Sequence, residues 1–460
     1  MRSVAALCLA IALSACGAPP SGPEAARRVP TATDLLPLPP MKTFGAPRVN
    51  APMASNTAIT RDFLELAFQM ESGRRLPILT RFEGPITLRV TGTVPAVARA
   101  DVARLIGRLR NEAGIDVTQV PSDRAASITV EFLPRKRMQA LVPQAACFVV
   151  PRLTSWDEYR RSRRGPAVDW TTLETRTRAA VFVPSDTPPQ EIRDCLHEEI
   201  AQALGPLNDL YRLPDSVFND DNFHNVLTGF DMLILRAYYA PELSSGMSME
   251  EVAMRLPGIL SRINPRGGRA GYAPPEPTPH AFVEAIETAL GPHAGASRRK
   301  SAAMKAVAIA EAEGWHDARA GFAWFALGRL SLGSRLDTAL EAFLKARRIY
   351  GSGSGMEVQA AHVDMQLAAF ALSAGHAEEA EAITLRALPA VADAENAALL
   401  ATLMLIRAEA LEAQGRASEA RAVRLDALGW ARYGFGGEAD IRRRVSEIAA
   451  LSPANRTRVP

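Results

Sequence analysis

The residues whose types and spacing could do chemistry lie close together between positions 191 and 209. This stretch holds one histidine, His197, and a series of polar residues: Glu198, Glu199, Gln202, Asn208 and Asp209. A catalytic zinc on a helix needs histidines at positions i and i+4 of one face, with a glutamate between them as general base. Ala201 stands four residues after His197, so that register fails. Any chemistry here would depend on carboxylates and amides.

Counted from Glu198, the segment reads Glu-Glu-x-x-Gln-x-x-Gly-x-x-Asn-Asp and is similar to the signature of the metzincin peptidases. The resemblance implies that Glu199 stands at the general-base position and Gly205 at the turn of the chain. Three residues stand where that family has its histidine ligands, and a fourth follows them: Glu198, Gln202, Asn208 and then Asp209. Two later features also look like parts of such peptidases, namely a helix with Thr228, Asp231, Leu235 and Tyr238, and Gly246-Met247 where a Met-turn would lie.

The substituted ligand positions determine what metal could bind. Catalytic zinc takes three protein ligands, typically histidine nitrogens with at most one carboxylate. The oxygen set of Glu198, Gln202, Asn208 and Asp209 suits Ca²⁺ better than zinc. Amides can equally satisfy buried hydrogen bonds without a metal. We therefore expect no cofactor, and a hard cation and zinc are the alternatives left open.

Glu199 shares a helix face with apolar residues, so its carboxylate must be paired or protonated. We expect it to accept hydrogen bonds in a core network, and a general base in a cleft is the alternative. His197 points to a different face. A metal shared by His197 and His224 is a further alternative, and residues 219–222 are expected to form a turn because they lack the spacing of an EF-hand loop.

Apolar periodicity around these residues predicts an α+β domain over residues 53–263 with a zincin-like helix. Helices are expected over 62–70, 98–110 and 189–204, the last opened by Pro188-Pro189 and ended by Gly205-Pro206. Strands are expected over 86–91, 115–120, 128–133, 146–150 and 179–183.

The N-terminal residues predict a targeting signal. A positive start and an apolar run of about ten residues form a secretory signal, too short to span ~30 Å of hydrocarbon. The run ends in Leu13-Ser-Ala-Cys16 and resembles the bacterial lipobox, which implies cleavage after residue 15 and a lipid on Cys16. Gly17 favours the outer membrane by the same resemblance. Residues 17–52 are rich in proline and alanine and predict a flexible tether.

Two cysteines then remain, Cys147 and Cys195, an even pair in an oxidising compartment. A disulfide between them is expected, and two buried thiols are the alternative.

Residues 264–290 contain many prolines and glycines and predict a linker. Residues 291–450 look helical and repeat with a displacement of 40. The first copy has Leu367, Ala368, Ala371, Gly375, Ala380 and Ala387, and the second has Arg407, Ala408, Leu411, Gly415, Ala420 and Ala427. A looser copy has Gly328, Gly333, Ala339 and Ala346. The pattern resembles the tetratricopeptide repeat and predicts an all-α domain that binds a protein partner.

Residues 59–265 also resemble a family of proteobacterial lipoproteins with a domain of unknown function. The segments that carry this resemblance begin at Arg61, Cys147, Cys195 and Phe218. A net charge of +3 over 460 residues predicts no nucleic-acid partner. We expect an envelope lipoprotein, bound to the membrane through its lipid, that acts as a protein-binding scaffold with an inactive peptidase-like domain. The alternative is an active metallopeptidase with Glu199 as general base.

Overall fold

The computed structural model describes residues 37–45, 50–269 and 276–456. Cys16 and the signal segment lie outside these residues. The described residues divide into two compact units, an α/β unit within residues 50–277 and a helical unit formed by residues 278–456 with residues 37–45. In the described part of the chain, no helix combines the length and the apolar character that crossing a membrane requires.

The α/β unit contains five strands and seven α-helices among its described residues. In chain order these are α1 (Asn56–Phe68), β1 (Ile86–Gly92), α2 (Ala96–Glu112), β2 (Val117–Gln119), β3 (Ile128–Leu133), α3 (Arg135–Gln139), β4 (Phe148–Pro151), α4 (Trp156–Ser162), β5 (Ala179–Pro184), α5 (Pro189–Leu204), α6 (Gly229–Tyr238) and α7 (Met249–Ile263). The strands and helices expected from periodicity are confirmed, with end points shifted by up to six residues.

The strands form one mixed sheet in the order β2-β1-β3-β5-β4. Neighbours are parallel except at the β4 edge, which runs antiparallel to β5. All six residues of β5 are buried because both faces of the sheet are covered. Val181 faces the main core with α2 and α5, whereas Phe182 faces a smaller cluster around Trp156. This alternation places α5 directly on the sheet.

The predicted disulfide is confirmed. Cys147 lies just before β4 and Cys195 lies on α5, and their Cα atoms are 5.8 Å apart. The bridge ties the edge of the sheet to the middle of α5, the helix that carries the candidate site.

The helical unit contains ten helices among its described residues. They are α8 (His280–Leu290), α9 (Ala296–Ala312), α10 (Ala318–Ser331), α11 (Leu336–Ser352), α12 (Glu357–Ala374), α13 (Ala377–Asp393), α14 (Ala397–Ala413), α15 (Ala417–Gly434), α16 (Glu438–Ala449) and α17 (Pro453–Arg456). Consecutive helices pack as hairpins, with α12 and α14 buried over most of their surface.

The 40-residue repeat corresponds to the α12–α13 and α14–α15 hairpins. Ala368 and Ala408 are fully buried at equivalent contacts. Gly375 and Gly415 follow the first helix of each hairpin with φ angles of 86° and 78°, which a residue with a side chain rarely adopts. Gly328 marks the looser copy on α10, since a Cβ atom there would lie 2.7 Å from the Phe343 ring.

Two expectations from the N-terminal and linker compositions need correction. Residues 280–290 of the expected 264–290 linker form α8, because Phe282, Ala285 and Ile286 bury an apolar face at helical spacing. Residues 37–45 of the expected tether pack on α15, where Phe44 is buried. Proline content alone did not distinguish an extended, packed segment from a flexible one.

Candidate functional site: a carboxyl cluster on α5

Helix α5 presents a series of polar side chains at helical spacing, namely Gln190, Asp194, Glu198, Glu199 and Gln202. Gln190 donates from Nε2 to Asn225 Oδ1 at 3.2 Å, so this face meets the loop between α5 and α6. On the other side, the Glu71 amide donates to the Leu207 carbonyl oxygen at 3.2 Å. The loop after α1 and the loop after α5 therefore enclose the polar face of α5.

Buried ionic contacts fix the loop between α5 and α6. The guanidinium of Arg212 donates to Asp62 Oδ1 at 2.7 Å and to Glu65 Oε2 at 2.7 Å, which joins the loop to α1. The carboxylate of Asp231 is fully buried and accepts from the Val217 amide at 3.1 Å and the Thr228 amide at 2.8 Å. These contacts place the loop opposite α5 without using the residues of the predicted signature.

Four carboxyl groups on this side of α5 interact electrostatically with one another: Glu71, Glu198, Glu199 and Asp209. Gln202 Nε2 donates to Glu71 Oε1 at 3.3 Å, and the Asp209 and Glu71 carboxyl groups hydrogen-bond to each other. A bond between two carboxyl groups requires a proton on one of them. Glu71 is exposed at the edge of the cluster, whereas Glu199 is 5 % exposed.

The electrostatics of the cluster favour protonated carboxyl groups. Burial and then the neighbouring Glu199 and Asp194 carboxylates raise the pKa of Glu198 well above its usual range. Burial, with Glu71 and Asp194 adding repulsion, does the same to the pKa of Glu199. Burial also raises the pKa of Asp194 to about 7. The charges acting most strongly on Glu198 are all carboxylates, so like charge reinforces desolvation.

Two oxygens of the cluster are buried and lack a hydrogen-bond partner among the described residues: Glu199 Oε2 and Asp209 Oδ1. A protonated carboxyl group tolerates this arrangement better than a carboxylate, because the desolvation cost of a charge is much larger. The expected hydrogen-bonded core network around Glu199 is therefore not what surrounds its Oε2 atom.

The residues at the signature's ligand positions fit zinc poorly. Asn208 Nδ2 donates to the Glu65 carbonyl oxygen at 3.2 Å, and the amide of Gln202 is engaged with Glu71. Among residues 37–45, 50–269 and 276–456, no three His, Cys, Asp or Glu side chains converge as metal ligands.

Both histidines of this domain contact backbone groups through ring nitrogens. His197 Nδ1 accepts from the Leu227 amide at 3.1 Å, and burial lowers the pKa of His197 well below its usual range. His224 Nε2 lies 2.9 Å from the Pro214 carbonyl oxygen. Residues 219–222 form a turn, as expected, in which the Asp221 amide donates to Asn219 Oδ1 at 3.1 Å.

The end of α5 is held by a residue that the sequence did not single out. Arg176 is buried over the Trp170 ring and donates to the carbonyl oxygens of Gln202, Ala203 and Gly205 at 2.5–2.8 Å. These are acceptors that a helix C-terminus leaves unsatisfied. No spacing pattern links Arg176 or Glu71 to α5, since both lie on separate loops.

Residues 56–258 match the family described as "Protein of unknown function (DUF2927)". No curated protein and no solved structure is significantly similar to the chain. The matched range contains the whole sheet, α5 and the carboxyl cluster, and ends within α7. Residues 56–258 are thus similar to the DUF2927 family, and a region of packed helical repeats follows them.

Proposed function

We propose that this protein is a lipoprotein of the bacterial cell envelope whose helical repeats bind a protein partner. In this proposal the lipid is attached to Cys16, the protein faces the periplasm from the outer membrane, and the repeats are of the tetratricopeptide type. The α/β domain acts as a peptidase-like scaffold that performs no proteolysis. The lipobox resemblance supports the anchor, and the surface of the helical unit supports the binding role.

The observation that carries the binding role is a series of exposed leucines at equivalent positions of three hairpins. Leu344, Leu385 and Leu425 are 50 %, 45 % and 51 % exposed. Each lies five residues after a buried alanine of the repeat pattern: Ala339, Ala380 and Ala420. Because equivalent positions of stacked repeats follow one another along the stack, these leucines form a row. Exposed apolar side chains that recur in register favour a protein contact.

A site-specific photo-crosslinker at these positions tests the binding role in cells. We expect a crosslinker at position 385 to give one discrete protein adduct that disappears when Leu344 and Leu425 are changed to serine. A crosslinker at Met304, a comparably exposed residue on α9, is the matched control and should not give that adduct. Equal labelling at both positions, or none at 385, would contradict a binding surface there.

The anchor is tested by cell fractionation. Cys16→Ser should abolish lipid attachment and signal cleavage at the lipobox, because the thiol that carries the lipid is gone. A Cys16→Ser protein that remains membrane-bound with its signal removed would contradict the lipid anchor.

A hydrolase that uses Glu199 as general base is a second candidate. The observation that favours it is the buried Glu199 Oε2, which lacks a hydrogen-bond partner, together with Asp194, whose charge acts on Glu199. Burial raises the pKa of Asp194 to about 7, and a carboxyl group with such a pKa suits proton transfer near neutral pH. Stoichiometric zinc in the purified chain, with proteolysis lost to a chelator, would favour this candidate over the scaffold.

A further inference from the structure

Residues 37–45 lie on α15 and make polar contacts along one side of that helix. The Lys42 amide donates to the Gly429 carbonyl oxygen at 3.0 Å. The Lys42 ammonium pairs with Asp426, and Arg432 donates to the Pro39 carbonyl oxygen at 2.9 Å. The helix thus recognises the backbone of an extended segment at two points and its lysine at a third.

An aromatic contact completes the arrangement. The Phe44 ring stacks on Trp430 with centroids 4.5 Å apart and meets Tyr433 edge-on at 6.4 Å. The Lys42 ammonium lies 5.5 Å from the centroid of the same Trp430 ring. Phe44 is only 9 % exposed, so it acts as the apolar anchor of the segment.

The residues that receive the segment are particular to α15. They are Asp426, Gly429 and Trp430. Forty residues earlier, the equivalent positions of α13 hold Arg386, Pro389 and Ala390. A Cβ atom at Gly429 would lie 3.0 Å from the Lys42 side chain and 3.3 Å from the Pro40 carbonyl oxygen. The repeat therefore departs from its own pattern at each of these three positions.

The contact of residues 37–45 with α15 allows another segment to replace them. The side chains of the Lys42–Asp426 pair are 45 % and 40 % exposed, and such surface pairs contribute little. The prolines at 37, 39 and 40 favour an extended backbone before docking, which lowers the ordering cost. Because the segment belongs to the same chain, its tether also keeps it at a high effective concentration at the site.

We propose that this face of α15 is a binding site for an extended, proline-containing segment of a partner protein, with residues 37–45 occupying it until a partner segment displaces them. The segment now bound defines the recognised chemistry: prolines, then a basic residue, then an aromatic residue two positions later. The site continues from Leu425, the last leucine of the exposed row. This inference rests on the proposal that the helical unit binds protein.

Displacement is tested with a fluorescent peptide of residues 37–45 and the full chain, by fluorescence anisotropy. The Lys42→Ala/Phe44→Ala chain should bind the peptide, because its own segment no longer holds the site. The unaltered chain should bind the peptide at least about tenfold more weakly, because its tethered segment competes at a high effective concentration. Adding Trp430→Ala to the double variant should abolish binding.

Trp324 provides the matched control. It lies on α10 with the Lys345 ammonium 4.0 Å from its ring centroid, and Trp324→Ala in the double variant should leave peptide binding unchanged. Equal binding by the unaltered and double-variant chains, or binding that survives Trp430→Ala, overturns the proposal. A dimer of the unaltered chain that dissociates in the double variant also overturns it, since the occupant would be a second copy. The crosslinking experiment at position 385 stands apart from these outcomes, so the two proposals fail separately.

Discussion

Two buried acidic groups, one in each unit, have opposite surroundings. In the helical unit, Asp364 is 2 % exposed and accepts from Arg347 at 2.7 Å and Arg386 at 2.9 Å. On α5, the buried Glu199 has an unpartnered oxygen and carboxylates as its charged neighbours. Arginine is abundant in both units, so its scarcity does not explain the difference. Pairing lets a buried acid hold a helical stack together, whereas an unpaired acid disfavours ionisation and costs stability.

The largest expected effect on stability comes from removing the disulfide of the α/β unit. Replacing Cys147 and Cys195 by serine should lower the free energy of unfolding of the α/β unit by about 4 kcal/mol, because the bridge closes a loop of 48 residues. Calorimetry should show the transition of the helical unit unchanged. A thiol count on the unreduced, unfolded chain should find neither of these two thiols free, and two reactive thiols would contradict the bridge.

Removing the buried Arg176 guanidinium at the end of α5 should lower the free energy of unfolding somewhat less. Arg176→Ala leaves three carbonyl oxygens of the α5 terminus without donors, which should destabilise the α/β unit by about 3 kcal/mol. Arg178→Ala is the matched control because that side chain is exposed two residues further on. Urea unfolding of both variants measures the difference, and equal midpoints would show that Arg176 does not hold the helix end.

Replacing a carboxyl group by an amide should destabilise the helical unit but leave the stability of the α/β unit almost unchanged. Asp364→Asn removes the charge that two arginines require and should destabilise the helical unit by about 2–3 kcal/mol. Glu199→Gln keeps the shape and removes an acid that prefers to be neutral, so we expect little loss of stability.

Glu199→Leu completes this series, because it removes the polar group entirely and should lower the free energy of unfolding by roughly 1–3 kcal/mol. A stable Glu199→Gln protein that has lost its cellular function would favour the general-base candidate. A strongly destabilised Glu199→Gln protein would instead show that the carboxyl group is paired.

The pH dependence should be the smallest and most specific difference. Burial raises the pKa of Asp194 to about 7 and raises those of Glu198, Glu199 and Asp209 well above their usual range. Between the unfolded pKa values near 4 and the raised folded values, these four groups bind more protons in the folded unit than in the unfolded chain. Their contribution to stability is fully present below about pH 4 and is lost as pH rises through the folded values, which for Asp194 is about 7. Buried His197, whose pKa is lowered, acts in the opposite direction on the acid side.

The helical unit should not share this alkaline loss. Its exposed Glu419 has a pKa lowered by a hydrogen bond from Arg416, which acts in the opposite direction, on the acid side. Melting temperatures of both transitions between pH 5 and 9 measure the contrast. An α/β transition that does not fall with rising pH would contradict protonated carboxyl groups, and Glu199→Gln should reduce the slope.

The sequence by itself determined the local structure. Periodicity predicted β1, β3, β5 and α5, and Pro189 and Gly205 marked the ends of α5, because these signals act within a few residues. The 40-residue displacement predicted the hairpins, since glycine and alanine leave a trace wherever helices turn or pack closely. The even number of cysteines that remain after the lipobox predicted the bridge between Cys147 and Cys195, which the structure confirms.

Only the tertiary structure decided which side chains meet. Glu71 reaches Gln202 across 131 residues of sequence, and Lys42 reaches Asp426 across 384. Neither pair has a periodic signal, because each joins a loop or extended segment to a helix. Composition presented residues 37–45 as a flexible tether, but their packing depends on Gly429 and Trp430 at the far end of the chain. Local patterns encode elements, whereas the raised pKa values of the carboxyl cluster and the docking of the segment follow from burial and proximity that only the folded chain creates.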